Sequence, residues 1–194
     1  MKKLLILFAA MLIAIPAFAQ NRPKFLYAEF ADKSATLWPF YKPFGNHFDP
    51  ALTLGVGLDH WNKGISSLFQ NLQFTSYTTP MMGNGITLSS SFGYRYRHSS
   101  GIFGESMLGL GATVFLPSME TYSMNEDEIF TTDHHLHIVG VLPIDLQVGY
   151  MKGRLGIYIK YRYMLLVPYT DVLLDVPLFP TSQVGIGLRM KIEQ

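Results

Sequence analysis

The stretch Ile86–Arg97, ITLSSSFGYRYR, decides the fold. Ile86, Leu88, Phe92, Tyr94 and Tyr96 alternate with Thr87, Ser89, Ser91, Gly93, Arg95 and Arg97. A period of two is strand periodicity, because successive side chains of a strand point to opposite faces. One face is large and apolar; the other is small, hydroxylic or charged. Directly beyond it, His98-Ser99-Ser100-Gly101 carries the glycine that a tight hairpin favours. Alternation then resumes in SMLGLGATVFL, where Leu108, Leu110, Ala112 and Val114 oppose Gly109, Gly111 and Thr113, with Glu105 on the polar side.

The same pattern runs outward in both directions. Leu52, Leu54, Val56 and Leu58 oppose Thr53, Gly55, Gly57 and Asp59. Leu155, Ile157, Ile159, Tyr161, Tyr163 and Leu165 oppose Gly156, Tyr158, Lys160, Arg162 and Met164. Val184, Ile186, Leu188, Met190 and Ile192 oppose Gln183, Gly185, Gly187, Arg189 and Lys191. Ile144, Leu146, Val148 and Tyr150 oppose Asp145, Gln147 and Gly149; here the parity slips near Pro143, where a bulge is expected because proline cannot donate to the ladder. Leu26, Ala28 and Phe30 against Tyr27 and Glu29, and Leu72 and Phe74 against Asn71, Gln73 and Thr75, complete eight strands.

Connections alternate in length. Asn62-Lys63-Gly64, the His98 turn and Lys152-Gly153-Arg154 are short, while about residues 32–49, 79–84, 117–135 and 168–180 form longer loops. Short turns at one edge and long loops at the other predict an all-β, eight-stranded antiparallel up-and-down barrel.

The N-terminal twenty residues, MKKLLILFAAMLIAIPAFAQ, read as an export signal: Lys2 and Lys3, an apolar run Leu4–Ile15, and Ala17-Phe18-Ala19 as a small-x-small cleavage site. The apolar run falls short of the ~20 residues a spanning helix requires. Residues 1–19 are therefore assigned to a cleaved signal peptide and 20–194 to one barrel domain. The chain has no cysteine, which argues against a lipid-anchored signal and a disulfide-stapled scaffold. Its 15 basic and 14 acidic residues nearly cancel, and no basic cluster follows the signal, so nucleic acid is not an expected partner.

A barrel can carry its apolar face inward, as a soluble lipid carrier does, or outward, as a membrane barrel does. The polar face holds Glu29, Asp59, Arg95, Arg97, Glu105, Asp145, Lys160, Arg162, Arg189 and Lys191, interleaved with Gly55, Gly57, Gly93, Gly109, Gly111, Gly149, Gly156, Gly185 and Gly187. Glycine weakens an exposed strand but makes room for long side chains inside a narrow barrel. The large apolar face would be crowded inside, so the polar face is placed in the lumen. Trp61, Tyr94, Tyr96 and Tyr150 lie near the short turns, and Trp38, Phe40, Tyr41, Phe44, Tyr77, Phe115, Tyr169 and Phe179 near the long loops. Aromatic bands flanking an aliphatic middle match the two membrane interfaces.

On the signal peptide, alternating strands such as TLGVGL and GYRYR, and the turn-loop rhythm, the chain resembles the small eight-stranded outer-membrane β-barrels of Gram-negative bacteria, of OmpA/OmpX-like architecture. Such proteins usually end their last strand on an aromatic residue, whereas this chain ends MKIEQ. The resemblance implies short turns in the periplasm, long loops outside and a transmembrane barrel in the bacterial outer membrane.

His98-Ser99-Ser100 with Glu105 matches the His-x-Ser spacing of another eight-stranded group, the lipid A deacylases of the PagL kind, which use His, Ser and Glu. That chemistry needs the three groups within hydrogen-bond reach of one another. Here the histidine falls in a turn on the periplasmic side and Glu105 points inward, so no catalytic residue is assigned. Glu29, Arg95, Arg97, Glu105, Asp145, Lys160, Arg162, Arg189 and Lys191 are expected to form a paired charge network in the lumen, since a buried charge is tolerable only when paired or hydrated. Trp61, Tyr94, Tyr96 and Tyr150 are expected at the membrane interface, and Trp38, Phe40, Tyr41, Glu126, Asp127 and Glu128 are the outer-loop candidates for interaction with a surface partner. Asp133, His134, His135 and His137 do not converge enough for zinc, so no metal and no cofactor is expected.

The resulting expectation is a monomeric, non-enzymatic, porin-like outer-membrane barrel in contact with membrane lipid and lipopolysaccharide, with a polar plugged lumen and a structural or surface-interaction role. Its alternatives are a lipid A-modifying barrel enzyme and a soluble periplasmic lipid-binding barrel.

Overall fold

A computed structural model describes residues 23–35, 48–79, 83–116, 121–124, 130–133, 137–167 and 178–192. Eight strands close into one antiparallel barrel: β1 (Phe25–Ala35), β2 (Pro50–Lys63), β3 (Ser66–Thr79), β4 (Gly83–Arg97), β5 (Ile102–Leu116), β8 (His137–Lys152), β9 (Leu155–Val167) and β10 (Phe179–Lys191). β6 (Thr121–Met124) and β7 (Phe130–Asp133) pair only with each other, as a two-stranded sheet in the connection between β5 and β8. Closure is made by the first and last strands, in a register running from Phe25 opposite Lys191 to Ala35 opposite Thr181.

The alternation in sequence becomes the two faces of the wall. Phe30, Leu108 and Val148 point outward and are 55%, 63% and 64% exposed, whereas Arg95, Asp145 and Arg162 point inward at 2%, 0% and 1%. The molecule is apolar outside and charged within, the arrangement of a wall bathed in lipid and the inverse of a soluble lipid carrier. The strands, 11 to 16 residues long, are enough to cross a hydrocarbon core when tilted.

At the three short turns Gly64, Gly101 and Gly153 take positive φ (72°, 95° and 63°), the region that glycine enters without steric cost. Asn62 Oδ1 accepts from the Gly64 amide at 2.9 Å, and the His98 carbonyl from the Gly101 amide at 3.0 Å.

The expected bulge at Pro143 is not there. Leu108 pairs with Ile144 and Gly111 with Val141 at one constant offset, and Pro143 lies opposite Met164 of β9. The β5–β8 ladder simply lacks the pairs around the proline, and a Cβ on Gly109 would stand 3.0 Å from the Pro143 ring. A gap in the ladder and a side-chain-free neighbour accommodate the missing donor without an extra residue. The apparent slip in parity has another cause: the inward face of β8 turns apolar toward the long-loop end, where Val139 and Val141 pack with Met164 and Leu166. The irregularity in the barrel lies elsewhere, in β2, where Asp59 pairs with Phe69 but Trp61 pairs with Leu68, leaving His60 as the extra residue.

Candidate functional site

The lumen is built from side chains that alternate inward on all eight strands, and its charges assemble in two groups. Toward the short-turn end, Arg95 and Glu105 face each other across β4 and β5, and Arg95 Nε donates to Glu105. Arg189, arriving from β10, donates to the same carboxylate, with Nη2 2.7 Å from Oε2. Asp59 of β2 accepts from Arg95 Nη1 at 3.1 Å. Ring faces sandwich both guanidinium groups: Arg95 lies 4.3 Å from the Phe69 centroid and 4.7 Å from that of Phe25, and Arg189 lies 4.8 Å from that of Phe103. A planar, weakly hydrated cation between aromatic faces is stabilised there by the ring quadrupole.

Nearer the middle, Arg162 and Asp145 sit opposite each other on β9 and β8. Their fork is bidentate, with Nε to Oδ1 at 2.7 Å and Nη2 to Oδ2 at 2.9 Å, the strong geometry for an arginine and a carboxylate. Lys160 pairs with Glu29 of β1, which also accepts from the Tyr158 hydroxyl at 3.3 Å. Between those partners runs β10, whose inward positions there are Gly185 and Gly187. A Cβ on Gly187 would overlap the Tyr158 ring, and one on Gly185 would stand 3.1 Å from Glu29 Cγ. The inward glycines thus make room as expected, though rings fill many of their niches: Tyr27 over Gly55, Tyr77 over Gly85 and Phe103 over Gly149.

Seven of the nine expected network residues come together: Glu29, Arg95, Glu105, Asp145, Lys160, Arg162 and Arg189. Lys191 does not; at the end of β10 it is exposed on the rim. Arg97 is half-buried at the end of β4, and its Nε has no hydrogen-bond partner. Both lie where the strands run out and water replaces the facing wall. Asp59 belongs to the network, as do Phe25, Phe69 and Phe103. Parity marks these rings: Phe69 shares a face with Asn71 and Gln73, and Phe103 with Glu105. Lys33, also inward and buried, sets its Nζ 3.1 Å from the Tyr77 centroid.

Trp61, Tyr94, Tyr96 and Tyr150 all point outward and are exposed near the short turns. The Tyr94 hydroxyl is 2.7 Å from Ser66 Oγ, and Lys63 Nζ stands 5.3 Å from the Trp61 ring. Trp38, Phe40 and Tyr41 lie in the connection from β1 to β2, and Glu126, Asp127 and Glu128 in that from β6 to β7, all outside the described residues.

His98 and Ser100 form a local turn: His98 Nδ1 is 2.9 Å from Ser100 Oγ and accepts from the Ser100 amide at 3.2 Å. Glu105 is held by Arg95 and Arg189 instead, so the three groups of a triad are not gathered. Among the described residues no group of three or more histidine, aspartate or glutamate side chains is placed to hold a metal.

No family model and no curated relative matches the chain. Solved structures do. Neisserial surface protein A superposes with a TM-score of 0.53 at 15% identity, over 87% of this chain and 96% of that one. The outer-membrane enzyme PagL superposes with a TM-score of 0.50 at 13% identity, over 87% and 99%. One of these is a surface protein and the other an enzyme, so the likeness carries a fold and leaves the chemistry to the side chains. By its closed eight-stranded wall, its outward apolar face and these neighbours, the chain has the fold of the small transmembrane β-barrels of the outer membrane.

Proposed function

We propose that this is an exported, non-catalytic protein of the bacterial outer membrane whose lumen is closed by its own side chains. Its work is to present the long loops outside and to contribute a stable wall to the membrane. One observation carries this reading: each of the carboxylates Glu29, Asp59, Glu105 and Asp145 is bound by a lysine or arginine from a different strand. Some of these bridges join neighbouring strands and others, such as Arg189 to Glu105, reach across the lumen, where the Arg95 and Arg189 guanidinium groups lie against ring faces. An open aqueous pore would leave such charges to water.

The test is reconstitution in planar lipid bilayers. Purified protein is expected to add no resolvable current; regular conducting steps would overturn the closed lumen. Incubation with lipid A is expected to leave its acyl chains intact, and release or transfer of a fatty acid would overturn the non-catalytic reading. The interaction role rests with Trp38, Phe40, Tyr41 and Glu126–Glu128, by their place in the long connections. Membrane lipid and lipopolysaccharide are the surroundings such a wall would meet, as a monomer.

A further inference from the structure

The net charge of +1 conceals a partition along the barrel axis. The long connections, residues 36–47, 80–82, 117–136 and 168–177, hold seven carboxylates against one lysine. At the opposite end stand Lys24, Lys63, Arg97, Lys152, Arg154 and Lys191. Among the described residues, the carboxylate nearest that end is Asp59, which is already bonded to Arg95. Arg22 and Glu193, flanking the barrel in sequence, add one charge of each sign.

Register fixes the level of these cations. Followed along the ladder, Phe25 leads through Gly57, Asn71, Ser91 and Gly109, then Pro143, Met164 and Thr181, and returns to β1 at Ala35, ten residues from its start. Each step from β1 toward β2 and onward therefore climbs toward the long loops by roughly one residue. Allowing for that stagger, the six cations fall in one band roughly 6 Å deep, at and just beyond the outward rings of Trp61, Tyr96 and Tyr150. Aromatic rings of this kind mark the headgroup level of a bilayer.

Four of the six converge where the barrel closes, on the consecutive strands β8, β9, β10 and β1. Lys152 and Arg154 flank Gly153 in the turn between β8 and β9, and Lys191 ends β10. The Lys191 amide donates to the Arg154 carbonyl at 2.8 Å, and the Ile192 amide to the Lys24 carbonyl at 2.9 Å. A strand spacing of about 4.8 Å gathers the four within roughly 15 Å of circumference. Lys24 and Lys152 share the outward parity of Leu26 and Tyr150, so their stems leave the wall on its lipid side.

An apolar groove of about 670 Å³ begins at the same place. Its foot is the row Leu155, Met190 and Leu26, paired in that order across β9, β10 and β1. Lys152 lies directly opposite Leu155, Lys191 follows Met190, and Lys24 is the next outward position below Leu26. From there the groove climbs past Ala28, Val56 and Leu54, away from the rim. Cations at the foot of an apolar slot, level with an aromatic belt, complement a negative headgroup whose chains enter the membrane above it.

We infer that this closure seam is a binding site for an anionic phospholipid in the leaflet on the short-turn side. The inference rests on the membrane-spanning reading of the wall. The ammonium and guanidinium groups donate to the phosphate oxygens, and an acyl chain lies along the groove. A zwitterionic lipid offers the same phosphate and chains, but its own ammonium cancels the charge on which the seam acts.

The test uses the full barrel in phosphatidylcholine bilayers with trace phosphatidylglycerol or phosphatidylcholine, each spin-labelled far down one acyl chain. The motionally restricted fraction gives the association of each lipid with the wall. Phosphatidylglycerol is expected to associate roughly fivefold more strongly at low salt, the fold-change of one cation at a charged bilayer surface. High salt should shrink that excess. K24Q/K152Q/R154Q/K191Q is expected to bring the two lipids to equal association, and K152Q/R154Q, confined to one exposed turn, to an intermediate value. Equal association in the parent overturns the site. So does an excess that survives the four substitutions, or one that K63Q/R97Q removes as completely, which would assign it to the rim as a whole. Restricted lipid of either kind reports the barrel in its bilayer, so failure of the site is distinguishable from failure of membrane insertion.

Discussion

Glu105 is the residue on which the lower charge group turns. Its carboxylate is shared by Arg95 and Arg189, and Asp59 is the other acid paired there with Arg95. E105Q keeps the shape and removes the charge, leaving Arg189 with ring faces and a neutral amide. Stripping one partner from a buried ion pair costs about 3–5 kcal/mol. E105Q should therefore lower the urea midpoint at which the compact, fast-migrating form disappears from gels; an unchanged midpoint would mean water already solvates the pair. Gly187 tests the packing in the same way. G187A sets a methyl into the Tyr158 ring and is expected to cost about 1–3 kcal/mol, the usual range for overpacking. In a Y158G background the same substitution should add almost nothing, and equal losses in both backgrounds would refute the contact.

At the scale of the strand, the outward face makes its own prediction. Leu54, near the middle of β2, and Leu155, at the first position of β9, are both exposed. On a soluble protein, arginine at either position would be close to neutral. On a wall in lipid, L54R should cost about 2–4 kcal/mol and L155R only about 0–1, because the penalty falls with distance from the midplane. Equal stabilities of L54R and L155R in a denaturant series would remove the lipid-facing assignment. Strand boundaries show which local signals the chain carries openly. The three short turns announce themselves through Gly64, Gly101 and Gly153, and all three adopt the backbone that only glycine takes readily. The bulge at His60 has no such mark, since histidine, tryptophan and asparagine suit either face of a strand near a rim. Nor did Thr121–Met124 and Phe130–Asp133 stand out as strands, being four residues each, too short for a period of two to register.

For the whole molecule, closure removes every strand edge of the barrel: β1 pairs with β2 on one side and β10 on the other. The full chain should be recovered with outer membranes and migrate faster unheated than heated, because the closed barrel resists detergent. Removal of Phe179–Lys191 opens both β1 and β9, and should abolish that shift altogether. Excision of Thr121–Asp133 should leave it intact, since β6 and β7 pair only with each other. A truncated chain that still shifted, or a hairpin deletion that did not, would contradict the closed topology.

The sequence by itself determined the number of barrel strands, their order, the two faces of the wall and which face holds the charges. It did so because strand periodicity is local: each residue's side of the sheet follows from its neighbours two positions away. Seven of the nine charged positions expected in the lumen network followed from that parity alone. Only the tertiary structure decided who pairs with whom. Glu29 meets Lys160 across a strand of glycines, Glu105 takes a second arginine from the far end of the chain, and phenylalanines share the interior with the ions. Those choices depend on barrel circumference, register and the depth at which each strand runs out. Closure sets all three at once, bringing side chains 84 and 129 positions apart into contact.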